Sequence, residues 1–129
     1  MISRVIIFDD EPDDLRRLKD EMTAIGCDVI TIDHNNSKDV LKQKTILDFK
    51  PQLAIVDSRF EADIDGMGIV KDLNKTFPGI KIIICTILFN FPQKKKWIED
   101  QYKDVKGVCA LIGKKPFPTG KQIVDLCSN

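Results

Sequence analysis

The sequence predicts an α/β fold, a doubly wound (βα)5 architecture with one parallel five-stranded sheet in the order 2-1-3-4-5. Three observations predict it. Short, almost wholly apolar runs alternate with segments of helical period along the entire chain. Strands buried on both faces read as such unbroken runs, and strands alternating with helices imply a parallel sheet covered on both sides. The two most apolar early runs, Arg4–Phe8 and Leu53–Val56, belong at the centre, whereas Asp28–Ile32, with charged flanks, suits an edge. Right-handed crossovers then leave few strand orders.

Each element has a local cause. After Arg4–Phe8, Pro12 suits the first helical position, and Asp13 and Asp14 suit the positive end of a helix dipole. Leu15, Leu18, Met22 and Ile25 recur at steps of three and four and form one stripe, and Gly26 closes the helix. The edge strand Asp28–Ile32 follows, then a loop and a second helix from Ser37 to about Phe49, broken by Pro51. Leu53–Val56 is the third segment. A polar loop, 58–66, leads to a helix from Met67 with Ile69, Val70, Leu73 and Phe77 on one side, stopped by Pro78 and Gly79. Strand 80–85, helix 93–104 with Trp97, Ile98 and Tyr102 inward, strand 107–112 and helix 118–127 complete the alternation. Neither a repeat nor a linker interrupts residues 1–129, so one domain is expected, without an output domain in this chain.

Composition narrows the function classes. Lysine plus arginine equal aspartate plus glutamate at 20 each, so no global charge draws the chain to nucleic acid or an anionic membrane. The first apolar run is too short for an export segment, which needs roughly 7–15 apolar residues, and no stretch approaches the ~18 needed to span a bilayer. A cytoplasmic protein is expected. The four cysteines, Cys27, Cys85, Cys109 and Cys127, lack metal-ligand spacing and adjoin apolar residues, as buried reduced thiols do. The only histidine, His34, lies in a polar loop. Lys94–Lys96 reads as a solvated helix face or a docking patch for an acidic partner.

The strand ends carry the chemistry. Asp9 and Asp10 follow the first strand, Asp57 the third, Thr86 the fourth, and Lys114-Lys115-Pro116 the fifth. In the order 2-1-3-4-5, ligands bind at the carboxyl edge beside the switch point between strands 1 and 3, where the three aspartates fall. Two unit charges ~5 Å apart repel by roughly 3 kcal/mol at an effective dielectric of ~20. Three together raise each other's pKa values or else recruit a cation, and magnesium, which takes oxygen ligands and few carboxylates, is the natural one. Asp57 is the candidate nucleophile, because a carboxylate can form an acyl phosphate. Phosphoryl transfer asks mainly for positioning and cations. Magnesium, the Lys115 ammonium and the Thr86 hydroxyl each suit one phosphoryl oxygen. Lys115 is preferred to Lys114, since a cis Lys-Pro bond fixes the turn and aims the ammonium inward.

At these residues the chain resembles the response-regulator receiver domain of two-component signalling, a flavodoxin-like, chemotaxis-regulator-like family. The matching pieces are Val5-Ile6-Ile7-Phe8-Asp9-Asp10-Glu11, Leu53-Ala54-Ile55-Val56-Asp57, Asp65-Gly66, Ile82-Ile83-Ile84-Cys85-Thr86 and Lys115-Pro116-Phe117, in order over nearly the whole chain. The resemblance implies that Asp57 accepts phosphate from a histidine kinase or a histidine phosphotransfer protein. It implies magnesium on Asp9, Asp10, Asp57 and the backbone carbonyl of Arg59, with Thr86 as switch hydroxyl and Lys115 as phosphate-binding lysine. It also implies self-catalysed transfer and hydrolysis without further enzymatic activity, and a partner-docking and possible homodimer face on the fourth helix, fifth strand and fifth helix. The chain departs from the family's pattern at Ile112, where a switch aromatic stands three residues before the lysine, and at Ile87, where a small residue follows the hydroxyl. The family's Met-Pro after the acceptor is missing, and the span from Thr86 to Lys115 is longer than usual.

Two other readings compete, a contact module and an enzyme of another kind on the same architecture, such as a flavin protein or a phospho-aspartate hydrolase. A receiver-like module that signals by contact, without phosphate, is motivated by Ile87 and Ile112. A flavin protein would want a phosphate-cradling loop after strand 1, where this chain has acids. A phosphatase with an aspartate nucleophile would want Asp-x-Asp there, and Asp9-Asp10-Glu11 does not supply it.

Overall fold

The computed structural model describes residues 1–33, 37–58 and 66–128. His34, Arg59 and Asp65 lie outside the described residues. The elements are β1 Arg4–Phe8, α1 Pro12–Ala24, β2 Asp28–Ile32, α2 Ser37–Val40, α3 Lys44–Phe49, β3 Leu53–Val56, α4 Gly66–Thr76, β4 Lys81–Cys85, a 3-10 turn Ile87–Asn90, α5 Pro92–Tyr102, β5 Val108–Ile112 and α6 Gly120–Leu126. All five strands join one parallel sheet in the order β2-β1-β3-β4-β5, as the apolar runs predict.

Strand alternation divides the core. Ile6, Phe8, Ala54, Val56, Ile82 and Ile84 face one side, beneath α2 to α5. Val5, Ile7, Leu53, Ile55, Ile83 and Cys85 face the other, beneath α1 and α6. Every side chain of β3 is buried, as burial on both faces requires. The helices contribute narrow stripes: Leu15, Leu18 and Met22 from α1, and Ile69, Val70 and Leu73 from α4. Pro12 opens α1 in its first turn with Asp13 and Asp14, and Gly26 leaves it at φ +93°, a conformation only glycine takes without strain.

Several boundaries differ from the sequence reading. The single helix expected over 37–49 is two short ones. Lys42 N–H donates to Asp39 O and Gln43 N–H to Val40 O, tight three-residue steps that close α2, and Gln43 is extended before α3 begins. Trp97 is 54% exposed rather than inward. The helix α5 buries Ile98 and Tyr102, four residues apart on one stripe, and Trp97 sits about 100° round from Ile98. Cys109 is exposed while the other three thiols are buried. Ile82 pairs with Val108 but Ile83 with Ala110, so Cys109 is the extra residue of a bulge on an edge strand.

The last helix starts at Gly120, two residues later than expected, because Thr119 caps it. The Thr119 hydroxyl accepts from Gln122 N–H at 3.2 Å, and the Gln122 side chain accepts from Thr119 N–H at 2.9 Å. Thr119→Ala breaks this capping box and should lower stability by about 1 kcal/mol in urea denaturation. Among the described residues no helix is long and apolar enough to cross a membrane.

Candidate functional site

The sheet ladder itself places the site residues. Asp9 N–H donates to Ile32 O at 3.2 Å, Asp57 N–H to Phe8 O at 3.0 Å, and Thr86 N–H to Ile112 O at 3.0 Å. Each is the first residue past its strand and extends the parallel ladder by one bond. Three residues far apart in the chain are therefore held at one edge, with main chain as rigid as the sheet.

Ligand oxygens of Asp9, Asp10 and Asp57 lie within 4.8 Å of one another, the convergence the sequence predicts. Asp9 and Asp57 are buried and Asp10 is exposed. Both Asp9 oxygens accept a hydrogen bond: Oδ1 from Glu11 N–H at 2.9 Å and Oδ2 from a lysine ammonium at 2.8 Å.

That ammonium belongs to Lys114, not Lys115. Lys114 Nζ stands 2.8 Å from Asp9 Oδ2, 2.8 Å from Asp14 Oδ2 and 3.0 Å from Asp57 Oδ2, and its side chain is 5% exposed. The three donors of an ammonium meet three carboxylates, a complete set. Lys115 is exposed, and the Lys115-Pro116 bond is cis. The cis bond is where the sequence reading expects it. The preceding residue supplies the inward ammonium, because the main chain at 114–115 is held so that the Lys114 side chain turns toward the acids.

The electrostatics follow from burial set against pairing. Burial pushes the Asp9 carboxyl up to about 6, even with the Lys114 ammonium and the Glu11 N–H holding it down. Burial works against the Lys114 charge too, but the Asp57 and Asp9 carboxylates outweigh it, and its pKa is raised. Burial pushes the neighbouring Cys85 thiol up to about 12. The sulfur stays protonated at neutral pH.

Thr86 is buried at the end of β4. Its Oγ1 accepts from Leu88 N–H at 3.2 Å and caps the 3-10 turn, which leaves its own O–H hydrogen to donate elsewhere. The expected Arg59 carbonyl lies outside the described residues. Sequence reasoning missed Asp14, taken only as a favourable acid in the first turn of α1. Its position in the first turn of α1, four residues after Asp10, is the signal that could have placed it near the pocket.

No protein-family model matches the chain, and no curated protein does. Solved structures match. A response regulator receiver domain protein from Clostridium thermocellum superposes at a TM-score of 0.71, covering 97% of this chain and 90% of that one at 20% identity. This chain has the receiver fold. A second receiver-fold structure, a CheY-like receiver domain protein from Methanospirillum hungatei JF-1, matches at 0.68 over 97% and 90% of the two chains, also at 20% identity. RcsB from Salmonella enterica serovar Typhimurium, bound to promoter rprA in the presence of phosphomimetic BeF3-, matches at 0.69 over 98% and 99% at 23% identity. The receiver fold accounts for the strand order of this chain and puts its acids, hydroxyl and ammonium on a single edge.

Proposed function

We propose that the chain is a response-regulator receiver whose phosphoacceptor is Asp57, served by a magnesium ion. One observation carries the reading: buried Asp57 lies against Asp9, Asp10 and Lys114, on the same sheet edge as the buried Thr86 hydroxyl. The donor set fits magnesium, being hard carboxylate oxygens in a partly open cluster with Asp10 facing solvent. Asp9, Asp10 and Asp57 would hold the ion, which when bound supplies positive charge to a phosphoryl oxygen.

The residues divide the work of transfer. An Asp57 carboxylate oxygen attacks the phosphorus of a phosphohistidine on a histidine kinase or phosphotransfer protein. A P–O bond to Asp57 forms, the P–N bond breaks, and the imidazole leaves with the electron pair. The Lys114 ammonium, already 3.0 Å from Asp57, is placed to move from carboxylate to phosphoryl oxygen, and the Thr86 hydroxyl hydrogen can donate to another. Rotation of Thr86 gives up its bond to Leu88 N–H, so the 3-10 turn feels the phosphoryl group. A surface built by α5, β5 and α6 is the face such a shift reaches, for a downstream protein or a second copy. Counted from Lys114, the position of the family's switch aromatic is Leu111, so the readout here uses aliphatic packing. The reading places the chain in the cytoplasm, where its kinase acts, and gives it no catalysis beyond its own phosphorylation and dephosphorylation.

The decisive experiment incubates the protein with acetyl phosphate and magnesium and weighs it. One added phosphoryl group is expected, absent from Asp57→Asn and absent with EDTA. Beryllofluoride should move amide signals near Thr86 and β5 in the parent only. An Asp57→Asn protein that labels as well as the parent defeats the proposal. A folded parent that neither labels nor responds to beryllofluoride leaves a contact module that works without phosphate.

A further inference from the structure

The 3-10 turn after β4 is tied to the segment that carries Lys114. Asn90 is the last residue of that turn, and its carboxamide makes three hydrogen bonds to one short stretch of main chain. Oδ1 accepts from Lys114 N–H at 2.7 Å and from Lys115 N–H at 3.2 Å. Nδ2 donates to the Lys115 carbonyl at 2.6 Å. An asparagine amide offers two lone pairs and two N–H donors, so three of its four capacities go to two residues. Gly113 makes room for it. A Cβ there would run into the carboxamide, 2.7 Å from Asn90 Cγ and 2.8 Å from Nδ2.

Two consecutive lysines offer two ammonium groups of equal reach. Three carboxylates attract either one, so charge alone does not choose between them. A side chain that holds the N–H of both residues and the carbonyl of the second fixes the peptide planes between them. The direction in which each side chain leaves the main chain is then fixed as well. The opposite end of the same turn is Thr86, whose hydroxyl caps it and whose N–H is bonded to Ile112 O at 3.0 Å.

We propose that Asn90 is the positioning residue that selects Lys114 over Lys115 as the pocket cation and links that cation, through the 3-10 turn, to Thr86. The role in transfer rests on the phosphoacceptor reading, whereas the selection of the lysine does not.

Two readouts separate these. The first uses acetic anhydride and scores each lysine by mass spectrometry, with exposed Lys121 as the internal reference. In the parent, Lys114, held by three charge-assisted bonds, should react at least about tenfold more slowly than Lys115. Asn90→Leu should reduce that protection to below about threefold. Gly113→Ala should do the same, because the added Cβ occupies the place of the carboxamide and unseats it. Asn90→Asp keeps the acceptor for both N–H groups and should retain most of the protection. The second readout is the rate of labelling by acetyl phosphate. Lys114→Ala should be slower than Lys115→Ala by about tenfold or more in the parent background, and the two should converge within about threefold when combined with Asn90→Leu.

Undiminished protection of Lys114 in both Asn90→Leu and Gly113→Ala, with Lys114→Ala still the only damaging lysine change, overturns the proposal. If no variant takes phosphate, the phosphoacceptor reading fails, and the acylation pattern still decides whether Asn90 selects the lysine.

Discussion

Replacing Lys114 with methionine is expected to cost the metal-free protein about 3–5 kcal/mol of folding stability, whereas Lys115→Met should cost less than about 0.5 kcal/mol. The asymmetry follows from what each ammonium leaves behind. Lys114 donates to three carboxylates in a space where its own side chain is 5% exposed. Without it Asp9, Asp14 and Asp57 all lose the ammonium that bonds them together. Methionine fills most of the volume, so the loss is electrostatic and not a cavity. The cost should depend on pH in one direction. The Asp9 carboxyl already titrates at about 6, above its ordinary 3.8, because burial disfavours the anion. Removing the cation raises it further. The folded chain then takes up a proton before the unfolded chain does, so stability of the variant climbs as pH falls through about 6 toward 4. Magnesium should restore part of the loss at neutral pH, about 2.7 kcal/mol at a hundredfold excess over its Kd. Urea denaturation at two pH values, in EDTA and in magnesium chloride, measures all of this. A Lys114→Met protein as stable as the parent in EDTA at neutral pH would show that the ammonium is not the pocket's counter-ion.

The same lysine pair marks where sequence reading stops. The runs Arg4–Phe8 and Leu53–Val56 announce central strands because burial on both faces leaves no place for polar side chains, and the sheet order and the meeting of Asp9, Asp10 and Asp57 follow from them. Lys114 and Lys115 are the same residue type in adjacent positions, and local chemistry cannot rank them. The choice is made by Asn90, a contact across 24 residues that no local pattern encodes. Asp14 was legible as an acid near a helix start, but its reach to Lys114 depends on how α1 lies over the edge. Trp97 misleads for a related reason. A large apolar side chain suggests burial, yet α5 has only the Ile98–Tyr102 stripe to spend on the core, and the ring is left in solvent. Two of these departures, the lysine choice and Trp97, fall after β4, where the 3-10 turn and α5 follow one another.

Magnesium affinity should fall about thirtyfold between about pH 7.5 and pH 4.5, as one proton competes for the ion at a group titrating near 6. Asp9 is that group. Its side chain is 1% exposed, and burial lifts its carboxyl to about 6 against the pull of Lys114. A carboxylate must be deprotonated to ligate, so below pH 6 each ion bound displaces one proton, and affinity drops close to tenfold per further pH unit. Above pH 7 the carboxyl is already ionised and the curve should flatten. Lys114 does not produce this profile, since its pKa is raised from an already high value and its charge is constant across the range. Titration calorimetry in two buffers of different ionisation enthalpy reads both the affinity and the proton released. Asp9→Asn should bind the ion more weakly at pH 7.5 and lose the step near pH 6. A parent affinity that stays level down to pH 4.5 would remove Asp9 from the metal's ligands and leave its buried carboxyl with Lys114 as its sole charged partner of opposite sign among the described residues.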